Sequence, residues 1–101
     1  MPAVARKNGI DSVNTGHGCD TTTVTSVGSS NVFVNGTGVC RVGDAIQIHT
    51  IPSGASCVPH TAVINAGSSS VFVNGISIAR NGDSADMGNI SSGSSNVFAG
   101  G

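Results

Sequence analysis

His17, His49 and His60 are the only histidines of this 101-residue chain, and with Cys19 and Cys57 they fall in two stretches, 12–27 and 45–66, otherwise made mostly of small polar and aliphatic residues. Imidazole nitrogens and thiolates are ligands for borderline divalent metals, so metal-type chemistry is concentrated in these stretches. The third cysteine, Cys40, stands apart from them. Three cysteines cannot all pair, and the start Met1-Pro-Ala-Val-Ala-Arg-Lys7 lacks the apolar run of a secretory signal. Both facts argue for reduced thiols and against a disulfide framework. The same side chains admit an enzymatic reading, a small metal-dependent hydrolase or one with Cys57 or Cys19 as nucleophile, a histidine as base and an aspartate as orienter. Against it, the chain carries no nucleophile-elbow or phosphate-loop pattern and no second domain to wall a deep cleft.

The elements that must position these residues are announced by a repeat. Gly28-Ser-Ser-Asn-Val-Phe-Val-Asn-Gly36, Gly67-Ser-Ser-Ser-Val-Phe-Val-Asn-Gly75 and Gly93-Ser-Ser-Asn-Val-Phe-Ala-Gly-Gly101 are three copies of one unit and contain every aromatic residue. Ahead of each lies a small residue, an arginine, a glycine and an aspartate: Ala5-Arg6-Lys-Asn-Gly-Ile-Asp11, Cys40-Arg41-Val-Gly-Asp44 and Ala79-Arg80-Asn-Gly-Asp83. The chain is a threefold internal repeat whose copies differ in the loops 12–27, 45–66 and 84–92. Val-Phe-Val alternates with the period of a strand, and Asn35-Gly36 and Asn74-Gly75 are type I′ turn dipeptides, so each unit is predicted to be a hairpin. One hairpin is marginal in water; three can bury their inner faces on a common axis, and the simplest arrangement sets Phe33, Phe72 and Phe98 in equivalent environments there. The Arg41/Asp44 and Arg80/Asp83 pairs are read as braces of their turns rather than as binding residues.

Fifteen glycines, no Trp, Tyr or Glu, and abundant Ser, Thr, Asn and Val describe an all-β chain. At this length one domain spanning 1–101 is expected, small enough to need a staple beyond its core. Four basic residues and a formal net charge of −1 give no footprint for nucleic acid or an anionic membrane surface. Asn81-Gly82-Asp83 suggests a calcium β-roll, but that architecture repeats every nine residues or so and is rich in carboxylates, whereas this chain has five acidic side chains in all.

A Gly-Ser-x-x-Val-Phe-Val-Asn-Gly unit alternating with an Ala-Arg-x-Gly-Asp element resembles the PAAR-repeat family, named for Pro-Ala-Ala-Arg, over essentially the whole sequence. The namesake tetrapeptide is degenerate: it reads Gly38-Val-Cys-Arg41 and Ser77-Ile-Ala-Arg80, while Pro2-Ala-Val-Ala-Arg6 keeps the proline with one residue inserted. The resemblance implies a cone-shaped, pseudo-threefold domain of short hairpins that caps the trimeric β-helical spike of a contractile injection machine. That spike is either the valine-glycine repeat protein of a type VI secretion system or the central spike of a phage tail. It further implies transient contact with a target membrane, assembly in the bacterial cytoplasm and export by the machine itself. A monomeric, non-enzymatic tip without a fused effector is expected.

Members of that family similarly hold a structural zinc near the apex with three histidines and one cysteine. Carried onto this chain, the ligands are His17, His49 and His60 with Cys57, since Cys57-Val-Pro-His60 matches the family's Cys-Pro-x-His spacing with the proline moved by one place. Two intervening residues let both side chains reach one tetrahedral ion. Cys19, two residues from His17, competes for the thiolate position, and Cys40 occupies the place of Ala79 and reads as a small core residue.

Overall fold

A computed structural model describes residues 1–101. It is all-β, with ten short strands: β1 (Ser12–Asn14), β2 (Thr22–Val24), β3 (Phe33–Val34), β4 (Thr37–Gly38), β5 (His49–Ser53), β6 (Ser56–His60), β7 (Phe72–Val73), β8 (Ile76–Ser77), β9 (Ser84–Ala85) and β10 (Gly88–Ile90). β2-β1-β10-β9 form one antiparallel sheet, while β3-β4, β5-β6 and β7-β8 are separate two-stranded hairpins. Of 48 backbone hydrogen bonds, 32 lie outside the strand ladders, so contacts between elements carry much of the fold.

The Asn-Gly dipeptides turn as their chemistry requires. Asn35 and Gly36 have φ of 55° and 78°, Asn74 and Gly75 of 56° and 77°, the double positive φ of a type I′ turn. They set the registers Phe33↔Gly38 and Phe72↔Ser77. The third unit has no strand after it; its partner is the amino-terminal segment. Phe98 bridges Ala3, and Val4 N–H donates to Val97 O at 3.0 Å, as Val39 N–H donates to Val32 O and Ile78 N–H to Val71 O in the other copies. The third hairpin is thus assembled from the two ends of the chain.

Rotational likeness is written in three sets of bonds, each repeated in every copy. Ala5 N–H donates to Ala79 O at 3.0 Å, Ala79 N–H to Cys40 O at 2.9 Å and Cys40 N–H to Ala5 O at 2.9 Å, a closed triangle of fully buried small residues. Only a small side chain fits where three backbones converge, which explains the residue recurring before each arginine. Around that triangle, Arg6/Asp11, Arg41/Asp44 and Arg80/Asp83 form the same fork. In each, the arginine's backbone N–H and Nε donate to Oδ2 and Nη2 donates to Oδ1 of the aspartate. The longer spacing of the first pair is absorbed by Asn8 and Gly9, both at positive φ.

The remaining arginine nitrogen links neighbouring copies. Asn35 Oδ1 accepts from Arg6 Nη1 and Ser94 Oγ, and Asn74 Oδ1 from Arg41 Nη1 and Ser29 Oγ. At the third position, where the repeat has Gly100 instead of asparagine, the Gly100 backbone carbonyl accepts from Arg80 Nη1 and Ser68 Oγ. A main-chain oxygen replaces the missing amide, and the ring closes. The molecule is elongated, measuring 42 × 24 × 23 Å.

Two apolar clusters fill the interior. One joins Ala5, Cys40 and Ala79 to Val13, Ile46, Ile64, Ala85 and Ile90; the other gathers Val4, Val39, Val73, Ile78 and Ala99. The three phenylalanines are equivalent but lie outside both, 57%, 57% and 50% exposed for Phe33, Phe72 and Phe98. Strand alternation sends each ring opposite to the residue after it, and Val34, Val73 and Ala99 are the ones that face inward. The axis is therefore lined by aliphatic side chains and not by the rings.

Candidate metal centre

Each of the three variable loops delivers at least one chemically active side chain to a single point. His17 comes from the β1–β2 loop, His49 opens β5, His60 closes β6 directly opposite it, and Asp86 sits in the β9–β10 turn. Thr15 shapes the first loop, its Oγ1 donating to Asp20 O at 2.7 Å. Gly16, at φ 79°, lets that loop touch the β9–β10 turn, since a Cβ there would run into the Met87 carbonyl. Asp86 takes a left-handed backbone (φ 54°), which aspartate tolerates, and its carbonyl accepts from Asn65 Nδ2 at 2.9 Å.

Ligand atoms of His17, His49, His60 and Asp86 all lie within 4.8 Å of one another. His17 Nε2 is 3.1 Å from His49 Nε2 and 2.9 Å from Asp86 Oδ2; His49 Nε2 is 2.7 Å from that same oxygen, and His60 Nε2 is 3.2 Å from Oδ1. The far nitrogens of two rings are occupied: His17 Nδ1 lies 2.9 Å from Gly18 O and His49 Nδ1 2.9 Å from Gln47 O. With the proton on Nδ1, each ring turns an Nε2 lone pair toward the centre, the outer support that metal-binding histidines need. The side chains of His17, His49 and Asp86 are 6%, 2% and 4% exposed, that of His60 29%.

The charges respond to this crowding. Burial pushes the Asp86 carboxyl up, but hydrogen bonds with His49, His60 and His17 outweigh it and hold the group below the usual carboxylate range. His17 is raised by its bond to the Gly18 carbonyl, against the effect of burial and with help from Asp86. Three imidazole nitrogens and one carboxylate oxygen form a donor set that suits a divalent ion. A tetrahedral ion with bonds of about 2.0–2.2 Å holds its ligand atoms roughly 3.4 Å apart, close to the separations seen. The donor set fits a metal.

Sequence reasoning named the three histidines that converge here. It placed Cys57 with them, and the structure differs at this point: Cys57 is disulfide-bonded to Cys19, with Cα atoms 6.0 Å apart. The fourth position beside the histidines is held by Asp86. The thiols are therefore not all reduced: an odd count still permits one bond plus a buried thiol, and Cys40 is that thiol. Burial pushes it up to about 12, so it stays protonated and inert. With Cys19 and Cys57 bonded to each other, neither supplies the thiolate of the nucleophilic reading. A shallow pocket of about 250 Å³ adjoins His49, lined also by Asp20, Ile48, Thr50 and Pro59. Asp86 was discoverable only as the one titratable side chain between Asp83 and the end of the chain.

The sequence profile of the family described as PAAR motif matches residues 15–89, about three quarters of the chain. The chain belongs to the PAAR-motif family. Its members are spike-tip proteins of contractile injection systems, structural rather than enzymatic, and association with a spike protein follows from membership in general terms. A search of curated proteins returns no match.

Proposed function

We propose that this PAAR protein is a monomeric tip that caps the threefold end of a trimeric β-helical spike, in a type VI secretion system or a contractile phage tail, and helps it pierce the target envelope. The observation that carries this reading is the ring of equivalent contacts closed within one polypeptide. A trimeric β-helix ends in exposed strand edges, liable to pair with other chains, and a cap that imitates its symmetry covers them without a second copy. The half-exposed rings of Phe33, Phe72 and Phe98 supply three equivalent apolar contacts for such an end. Assembly takes place in the bacterial cytoplasm, and the machine's contraction carries the tip outward.

The metal in this reading is zinc, held by His17, His49, His60 and Asp86. A redox-inert ion bound by four protein ligands supplies a closed structural cross-link among loops that have little core of their own. The protein's part is to bring three imidazole nitrogens and a carboxylate to one point: the Nδ1–carbonyl bonds of His17 and His49 orient their rings, and the Asn65 bond to the Asp86 backbone carbonyl steadies the turn that carries the carboxylate.

Two measurements test the proposal. Purified protein should hold about one zinc per chain, and His49→Ala should remove most of it and lower the melting temperature by several degrees. The triple variant Phe33→Ser, Phe72→Ser, Phe98→Ser should keep its fold and metal yet fail to co-purify with a trimeric β-helical spike that binds the parent at one tip per trimer. A stable homotrimer of this chain, which would bring three tips to one spike, contradicts the capping model.

A further inference from the structure

The metal cluster depends on two peripheral segments, the 16–20 loop with His17 and the β5–β6 hairpin with His49 and His60. β5 and β6 pair only with each other, and every residue from Pro52 to Pro59 is exposed. A lone two-stranded ribbon is marginal in water and does not by itself fix where its root histidines point. Beyond the cluster itself, few links tie the ribbon to the loop. Asp20 N–H donates to Thr50 O at 3.3 Å, and Thr50 N–H and Oγ1 both donate to Asp20 Oδ2 at 2.8 Å, all at the exposed surface. The other link is covalent, the Cys19–Cys57 disulfide. Cys19 has φ of 62°, a left-handed backbone that non-glycine residues adopt at a cost, so this loop is held in a shape it does not prefer.

We propose that the Cys19–Cys57 disulfide is a redox latch on the metal cluster: closed, it holds His17 against His49 and His60; opened, it leaves the ribbon tied to the 16–20 loop only by surface hydrogen bonds, and the ion is released faster. The inference rests on the metal reading given above. Both cysteines are exposed and open to exchange. A dithiol donor opens the latch by passing two electrons and two protons to the sulfur–sulfur bond, giving two thiols here and a disulfide on the donor; an oxidised dithiol partner closes it by the reverse exchange. In a reducing compartment the latch stands open, and in an oxidising one it closes. Reciprocity follows from linkage: if the closed latch favours the ion, the bound ion makes the disulfide harder to reduce.

The test uses the whole chain loaded with zinc. Release to a chromogenic chelator is timed for the oxidised protein, for protein reduced by a water-soluble phosphine, and for the double variant Cys19→Ser, Cys57→Ser. The phosphine ends as phosphine oxide, with oxygen from water, and both are removed before release is timed. Reduced and double-variant protein should release zinc about tenfold faster than the oxidised form, and the disulfide should reduce at a more negative potential with zinc bound. If the double variant does not fold, the reduced parent carries the comparison alone. Equal release rates overturn the latch and leave the metal reading intact. Slower release after reduction, abolished by Cys57→Ser, overturns it too, because a freed thiolate has then joined the ligands; cobalt substitution would reveal that as a sulfur charge-transfer band. Absence of zinc from every form overturns the metal reading, and the latch with it.

Discussion

At the scale of single residues, protons and metal compete for the same cluster. Without metal, the Asp86 carboxyl is lower than usual, so its contribution is present above about pH 4 and is lost as pH falls through the depressed value. His17 is raised, so its contribution is complete below about pH 6.5 and is lost as pH climbs through the elevated value. Metal-free protein should therefore be most stable between about pH 4 and 6.5, whereas metal binding needs neutral imidazoles and strengthens above that window. Calorimetry with and without zinc should show the gap in melting temperature widening from about pH 5 to pH 8; a constant gap would contradict the shared site. The three histidines were legible because they are rare and sit in the variable loops. Asp86 was not, because a carboxylate between two strands has many ordinary uses. Cys57 was legible as a ligand type only: a spacing of two residues tells what a side chain can reach and is silent about which partner it meets.

At the scale of elements, the Asn-Gly turns disclosed two hairpins, and the repeat disclosed the third although no turn closes it. Which face of Val-Phe-Val turns inward was not legible, since alternation separates the faces without ranking them, and the narrow axis accepted valine and excluded the ring. The β5–β6 ribbon lies in a stretch, 45–66, that the repeat marks only as a variable loop, since it has no counterpart in the other copies; its Pro52 and Pro59 are tolerated because each strand of a two-stranded ribbon has a free edge. The arginine forks do more than brace their turns, because each also reaches the next copy. Arg80 is the most enclosed, 7% exposed, with Nη1 shared between the Ala99 and Gly100 carbonyls. Arg80→Met removes both side-chain donors to the Asp83 carboxylate and leaves the Ala99 carbonyl unpaired, and should cost about 3 kcal/mol, read from the urea midpoint.

At the scale of the whole molecule, the triangle of Ala5, Cys40 and Ala79 permits a control that the repeat itself suggests. Two copies already use alanine there, so Cys40→Ala should change stability by less than about 1 kcal/mol, while Cys40→Leu should cost about 2 kcal/mol or more by forcing the backbones apart. Equal tolerance of both would mean that the axis is not close-packed. The third hairpin, made from the two chain ends, has a further consequence. Covalent order along the chain and order around the axis are independent here, so the break in the circle is movable. A circular permutant that joins Gly101 to Met1 through a short flexible connector and opens between Asn35 and Gly36 should fold to the same ring with the same cluster of ligands, its termini simply transferred from one blade of the rotor to the next.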